Sequence, residues 1–281
     1  MNQSAKRFMG AVFAAMAVFT VSMIVTTVIN IQKHKKEMML TGDECFYQNE
    51  TLEGNIADDA LIALISTDHG DIAAELYPQY APEAVANFRE LADSGYYNDT
   101  FVYSVQKGIT AGFGSKFNDG SLPDGYDKSV ETVDPEITKD LWPLKGALLS
   151  AGLTHGTLWS GQETYSGSRF IIPGSIDFED EDTKKELESI LKAEPQDNTV
   201  SAEDLASFEK SKELINMFCK YGGTPNVSQQ ITVFGQTFDG WDVLDSILSE
   251  PSDENTLIPV AEIEITGVKV MTYAEYNKAS E

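Results

Sequence analysis

The feature that most constrains the fold is a pair of alternating apolar segments, 60–66 and 71–77, joined by a turn-like stretch at Thr67–Gly70. Such alternation around a short polar break is typical of a β-hairpin. Pro82 follows at a position that suits the first turn of a helix, and apolar residues recur behind it at helical spacing: Val85, Phe88 and Leu91. The globular part of the chain therefore begins with two paired strands and a helix that ends at Ser94-Gly95.

Five blocks in a fixed order resemble the cyclophilin family. The run from Gly70 to Gly108 is similar to the amino-terminal half of that family, and later blocks follow in the expected order: Lys145–Ala151, Gly167–Ile172, Thr232–Gly235 with Gly240–Ile247, and a last strand, Ala261–Val270. The resemblance covers roughly three quarters of the 281 residues. It implies a mainly β fold over 60–273, a closed eight-stranded antiparallel barrel capped by helices, followed by a C-terminal tail, 274–281. It also implies a divergent, bacterial-like member of the family.

An apolar segment, 8–31, lies near the amino terminus and contains no charged residue. At about 1.5 Å per helical residue it can cross a hydrocarbon layer of about 30 Å. A cleaved signal peptide is the alternative, but it would have a shorter apolar core and a small-residue exit. We predict an uncleaved transmembrane helix within 1–36, and hence a single-pass protein of the cell membrane. Basic residues flank both ends, so charge does not set the orientation; an extracytoplasmic domain follows from analogy with tethered folding helpers.

The rest of the chain is strongly acidic. Five of the 20 basic residues lie in or beside the anchor, which leaves 15 against 45 acidic residues after residue 36, a net charge of −30. Such a surface excludes nucleic acid as a partner. Anionic headgroups would also repel it, so 37–59 is predicted to be a polar tether. Cys45 and Cys219 allow one disulfide without forming a framework.

Isomerisation of an X-Pro bond requires few catalytic groups. The barrier of about 18–20 kcal/mol arises from amide resonance, so a catalyst needs a donor for the twisted amide and an apolar pocket for the ring. We expect no metal, cofactor or nucleophile, and the chain shows no motif for one. In cyclophilins an arginine supplies the donor, but here Ser104 stands at its position. The resemblance implies a substrate-binding role for Tyr103, which directly precedes Ser104. Loss of one preorganised donor costs on the order of 10²–10³ in rate.

Other positions that line the family's substrate groove also differ. Six family residues are replaced here: phenylalanine by Ile109, methionine by Thr110, glutamine by Gly112, asparagine by Gly152, a second phenylalanine by Ile171 and histidine by Ile231. The three isoleucines either form an apolar patch for a proline ring or close the pocket and extend the core.

Arg169 stands where the family has glutamine. Strand alternation places Arg169 and Ile171 on one face and Phe170 on the core face. Arg169 can then extend over Ser104 and restore a donor from a different strand. The alternative is a surface arginine that pairs with a nearby carboxylate.

Two insertions interrupt the pattern. About 55 residues separate the Arg169 strand from Thr232, and this insertion, about 176–224, is predicted to hold two helices, 182–191 and 201–220. It is either a hairpin packed on the barrel flank or a lid or docking element for a protein partner. A smaller insertion after Gly152 carries Trp159, either a client-stacking aromatic or a buried anchor.

The resemblance implies a peptidyl-prolyl cis-trans isomerase that acts on proline-containing segments of exported proteins, with weak turnover or none because Ser104 replaces the arginine. A second interpretation is a catalytically inactive peptide-binding or scaffold module at the membrane. A third is a structural domain whose helical insertion makes the contacts. Fold alone does not choose among them.

Overall fold

The computed structural model describes residues 40–121, 133–157, 161–178, 180–192 and 201–280. Its strands are β1 Leu61–Thr67, β2 Gly70–Leu76, β3 Thr100–Phe101, β4 Ser104–Gln106, β5 Thr110–Phe113, β6 Ala147–Thr157, β7 Gly161–Pro173, β8 Val233–Asp239 and β9 Glu264–Thr272. They form one curled antiparallel sheet in the order β3-β9-β1-β2-β8-β6-β7-β5-β4.

The nine described strands correct the prediction of a closed eight-stranded barrel. The residues after Tyr97 form two short strands, since β3 pairs with β9 whereas β4 pairs with β5. The chain changes partner at Val102 and Tyr103, whose N–H groups donate to Ile263 O and Gly112 O. An isolated bridge, Phe101 with Ser115, links the edge strand β3 to the residues that follow β5.

The helices are α1 Gln48–Leu52, α2 Pro82–Asp93, α3 Glu181–Lys192, α4 Ala202–Tyr221, α5 Trp241–Ser249 and α6 Tyr273–Ser280. The predicted hairpin is confirmed, with β1 and β2 in register from Ile62 opposite Glu75 to Thr67 opposite Gly70. The main core lies between the sheet and helices α2 and α5, and it includes Phe88, Phe113, Phe170, Phe234 and Leu244. Helix α6 occupies the stretch that the sequence assigned to a C-terminal tail.

Residues 40–53, which we call the N-terminal strap, pack against the sheet. Leu40 and Phe46 are buried in a second apolar cluster with Trp142 and residues of α4. Gln48 is fully buried and bonds to Trp142 and Gln236. The described part of the predicted tether is therefore packed at its start, because its few apolar residues and its inward-facing polar groups all find partners.

The two helices predicted in the insertion are present as α3 and α4. Ser201 caps α4 by accepting a hydrogen bond from Asp204 N at 3.1 Å. Leu214, Met217 and Phe218 of α4 pack on the strap and on Trp142. This arrangement agrees with a hairpin on the flank of the sheet.

The predicted anchor, 8–31, lies outside the described residues, as does Trp159. Within the ranges that the structure does describe, no helix is both long and apolar enough to cross a membrane. Cys45 and Cys219 are both exposed, and the disulfide that the two cysteines would allow is not formed.

Candidate functional site

The candidate site lies on the face of the sheet that points away from the main core. Strand register aligns Ser104 with Gly112, Gly112 with Ile171, and Ile171 with Leu149, so one row crosses β4, β5, β7 and β6. The intervening residues, among them Val105, Ala111, Phe170 and Ile172, belong to the main core. Alternation along each strand therefore turns the row outward.

An apolar patch occupies one end of this row. Ile171 and Ile231 are half-buried and pack with Val227 on a cluster that contains Leu149 and Val233. Two of the three predicted isoleucines thus contribute to a partly exposed apolar patch.

Three other predicted residues lie further away in the fold. Ile109 belongs to the turn between β4 and β5, where its N–H donates to Gln106 O at 2.8 Å, and it is not a member of the Ile171 cluster in the described part of the chain. Thr110 pairs with Pro173, one outward position beyond Gly112. Gly152 pairs with Ser166 toward the far end of β6 and β7.

Tyr103 covers the centre of the row. A β-carbon at Gly112 would lie 2.7 Å from Tyr103 Cζ and 2.6 Å from Ser104 Oγ. Gly112 therefore lets the tyrosine ring lie directly on the strand. The sequence assigned Tyr103 to substrate binding but did not reveal this packing; the only signal was a glycine at the family's glutamine position.

Arg169 brings a cation to the same place. Its Cζ lies 4.7 Å from the centroid of the Tyr103 ring, and its Nη2 donates to Ser121 O at 3.1 Å. The residue is only 6% exposed, and its Nε is buried without a hydrogen-bond partner. The alternative of a surface arginine is therefore wrong. In the described residues no salt bridge to Arg169 is formed, and the face of its guanidinium lies over the Tyr103 ring.

The charge of Arg169 reaches one exposed carboxylate. Hydrogen bonds from Ser121 are the main cause that lowers the pKa of Asp119, and the positive charge of Arg169 contributes to the same shift. Asp119 is exposed, so it stays ionised at the rim without neutralising the guanidinium.

The arrangement combines a guanidinium, a partly open apolar patch and a row of outward-facing strand positions. A model of the family described as "Cyclophilin type peptidyl-prolyl cis-trans isomerase/CLD" matches residues 62–270. The chain belongs to the cyclophilin family. The family predicted from the five sequence blocks is thus confirmed, and this cyclophilin has serine, not arginine, at position 104.

Relatives of this cyclophilin include bacterial proteins. A "Putative peptidyl-prolyl cis-trans isomerase" of Staphylococcus aureus is 30% identical over 193 residues, which cover 66% of this chain and 79% of the relative. A protein of the same description from Staphylococcus saprophyticus is 26% identical over 74% of this chain and 90% of its own.

A "Putative bifunctional phosphatase/peptidyl-prolyl cis-trans isomerase" of Streptococcus pyogenes is 30% identical over 186 residues. The match takes in 65% of this chain but spans only 33% of that relative. Among solved structures, a cyclophilin type isomerase of Cryptosporidium parvum is 21% identical, with a TM-score of 0.49, over 76% of this chain and 98% of its own.

Proposed function

We propose that this cyclophilin is a membrane-tethered peptidyl-prolyl cis-trans isomerase that acts on proline-containing segments of exported proteins. Arg169 serves as the donor in place of the arginine that is absent at Ser104. The uncharged segment 8–31 supports the tether, and analogy with tethered folding helpers supports an extracytoplasmic domain. Co-flotation of the full chain with liposomes, set against a chain that begins at residue 37, tests the anchor.

The observation that carries the proposal is the position of the Arg169 guanidinium. It lies against Tyr103, which is directly before Ser104 and rests on the Gly112 that pairs with Ser104. Ile171 lies two residues further along the strand of Arg169 and belongs to the apolar patch. A proline ring on that patch would thus lie close to the Arg169 guanidinium. Isomerisation requires this combination of an apolar surface for the ring and a donor for the twisted amide.

We expect slow turnover. A preorganised donor contributes on the order of 10²–10³ in rate. Arg169 recovers only part of that factor, because Nη2 is already engaged with Ser121 O and the guanidinium is covered. Uncatalysed X-Pro isomerisation takes tens of seconds, so even modest acceleration would help an emerging chain to fold.

The same contacts favour a second function, an inactive peptide-binding or scaffold module. The Tyr103 ring occupies the surface of Gly112, where a client backbone would have to approach. A module that only holds extended segments needs the Ile171 and Ile231 patch but no mobile donor.

Line-shape NMR on a blocked proline tetrapeptide with the full chain in detergent micelles separates the two functions. Arg169→Ala is expected to lower kcat/KM by about tenfold or more, because it removes the proposed donor. Arg89→Ala is the matched control, since Arg89 is exposed on α2 and pairs with Asp93 on the same helix. Equal turnover by wild type and Arg169→Ala would reject the proposal. A gain in Ser104→Arg from a baseline near zero would favour the binding module.

A further inference from the structure

Tyr103 lies in a slot made by two glycines. A β-carbon at Gly112 would lie 2.7 Å from Tyr103 Cζ and 2.9 Å from its hydroxyl, and one at Gly120 would lie 2.9 Å from Tyr103 Cδ2. Any larger residue at either position would collide with the ring. The slot therefore holds the ring flat on the outward face of β5.

The ring in this slot covers Arg169. The guanidinium stacks 4.7 Å from the ring centroid, and the residue is left 6% exposed with no partner for its Nε. A buried donor without an acceptor carries a desolvation cost that a bound acceptor would remove. The structure thus contains a donor that is suited to a ligand but screened from it.

We infer that Tyr103 is a gate over Arg169. With the ring in the glycine slot the groove is closed; when the ring leaves the slot, the guanidinium is uncovered and its Nε–H can turn to donate to a carbonyl oxygen of the client. Tyr103 is a positioning residue in this scheme, because it acts through Arg169. The inference rests on the proposed function for the identity of the client, but the gate can be tested without turnover.

The free energy that favours the closed position of the Tyr103 ring determines how much the peptide affinity should rise when that position is removed. The apparent affinity of a site falls in proportion to the fraction of molecules in which it is open. The guanidinium–aromatic contact contributes to holding the ring in place, and loss of that contribution is expected to raise peptide affinity roughly twofold to thirtyfold.

Two substitutions remove the closed state by different routes. Tyr103→Ala deletes the ring. Gly112→Ala keeps the ring but places a β-carbon where Tyr103 Cζ and Ser104 Oγ now approach, so both flexible ends must move. Tyr276→Ala is the control, since Tyr276 lies on α6 against Phe238 and Asp239.

The first measurement is the Nε–H spectrum of the full chain in micelles. The chain has three arginines, Arg7, Arg89 and Arg169, so the spectrum is simple to assign. Stacking on Tyr103 predicts a ring-current shift for Arg169 in wild type. The shift is expected to persist in Tyr103→Phe, which keeps the ring, and to vanish in Tyr103→Ala and Gly112→Ala.

The second measurement is the affinity of each protein for the blocked proline tetrapeptide. Loss of the shift together with tighter binding in Tyr103→Ala and Gly112→Ala, and wild-type binding in Tyr276→Ala, supports the gate. Unchanged or weaker binding in both variants overturns it, as does an absence of binding in every protein. Tighter binding without turnover in any protein supports the gate and overturns only the proposed catalysis.

Discussion

Replacement of Gln48 by alanine should release the N-terminal strap. The Gln48 side chain is fully buried between the strap and the sheet. Its Nε2 donates to Trp142 O at 2.8 Å and to Gln236 Oε1 at 2.7 Å, and its Oε1 accepts from Trp142 N at 2.6 Å. Three segments that are far apart in sequence thus depend on one amide.

The expected loss follows from the groups that remain. Alanine leaves the Trp142 N–H and Gln236 Oε1 buried without these partners. Each stranded group costs about 1–3 kcal/mol, so the free energy of unfolding should fall by about 2–6 kcal/mol. Gln48→Met, which keeps most of the side-chain volume, should lose a similar amount if hydrogen bonds and not packing carry the effect.

Urea unfolding of the full chain in micelles, followed by tryptophan fluorescence, measures this loss. Asn49→Ala is the matched control on the same helix. Its amide makes a long contact with Met217 Sδ, at 3.9 Å, and its expected effect is within about 0.5 kcal/mol. If Gln48→Ala and Gln48→Met both unfolded like wild type, the strap would not be held by this network.

Two further substitutions test the strap and the insertion. Burial raises the pKa of the Glu75 carboxyl group above its ordinary value of 4.5. The stability that depends on its protonated form is therefore complete below pH 4.5 and is lost as the pH rises through the folded-state pKa. Glu75→Gln should therefore gain stability relative to wild type as pH increases in urea titrations, whereas Glu50→Gln, on an exposed site, should not; a difference independent of pH contradicts this. Leu214→Ala should cost about 2–5 kcal/mol because Leu214 is buried against the strap. Leu205→Ala, 45% exposed on the same helix, should cost under about 0.5 kcal/mol in the same assay, and equal losses would refute the assigned packing.

Local patterns predicted much of the scaffold correctly. The β1–β2 hairpin, helix α2 and the two insertion helices follow from periodicity and from turn and cap residues, which act between near neighbours in the chain. The division of residues 100–106 into β3 and β4 could not be predicted, because it arises from a change of partner strand, which no local pattern records.

The candidate site was only partly predictable. Strand alternation placed Arg169 and Ile171 on one face, and the register agrees for Ile171. The burial of Arg169 was not foreseen, because it depends on Tyr103, which lies 66 positions away in the chain. Ile109 was grouped with Ile171 and Ile231 from analogous positions, yet the turn after β4 separates it from them.

The order of the sequence blocks alone determined the family, since each block encodes a strand or helix through contacts that are local along the chain. Only the tertiary structure decided where the strap and Arg169 lie. Both positions depend on pairs such as Gln48 with Gln236 and Tyr103 with Arg169, whose partners meet only when the sheet curls. Burial and hydrogen-bond energy arise only when both partners are in contact, and neither residue supplies them by itself.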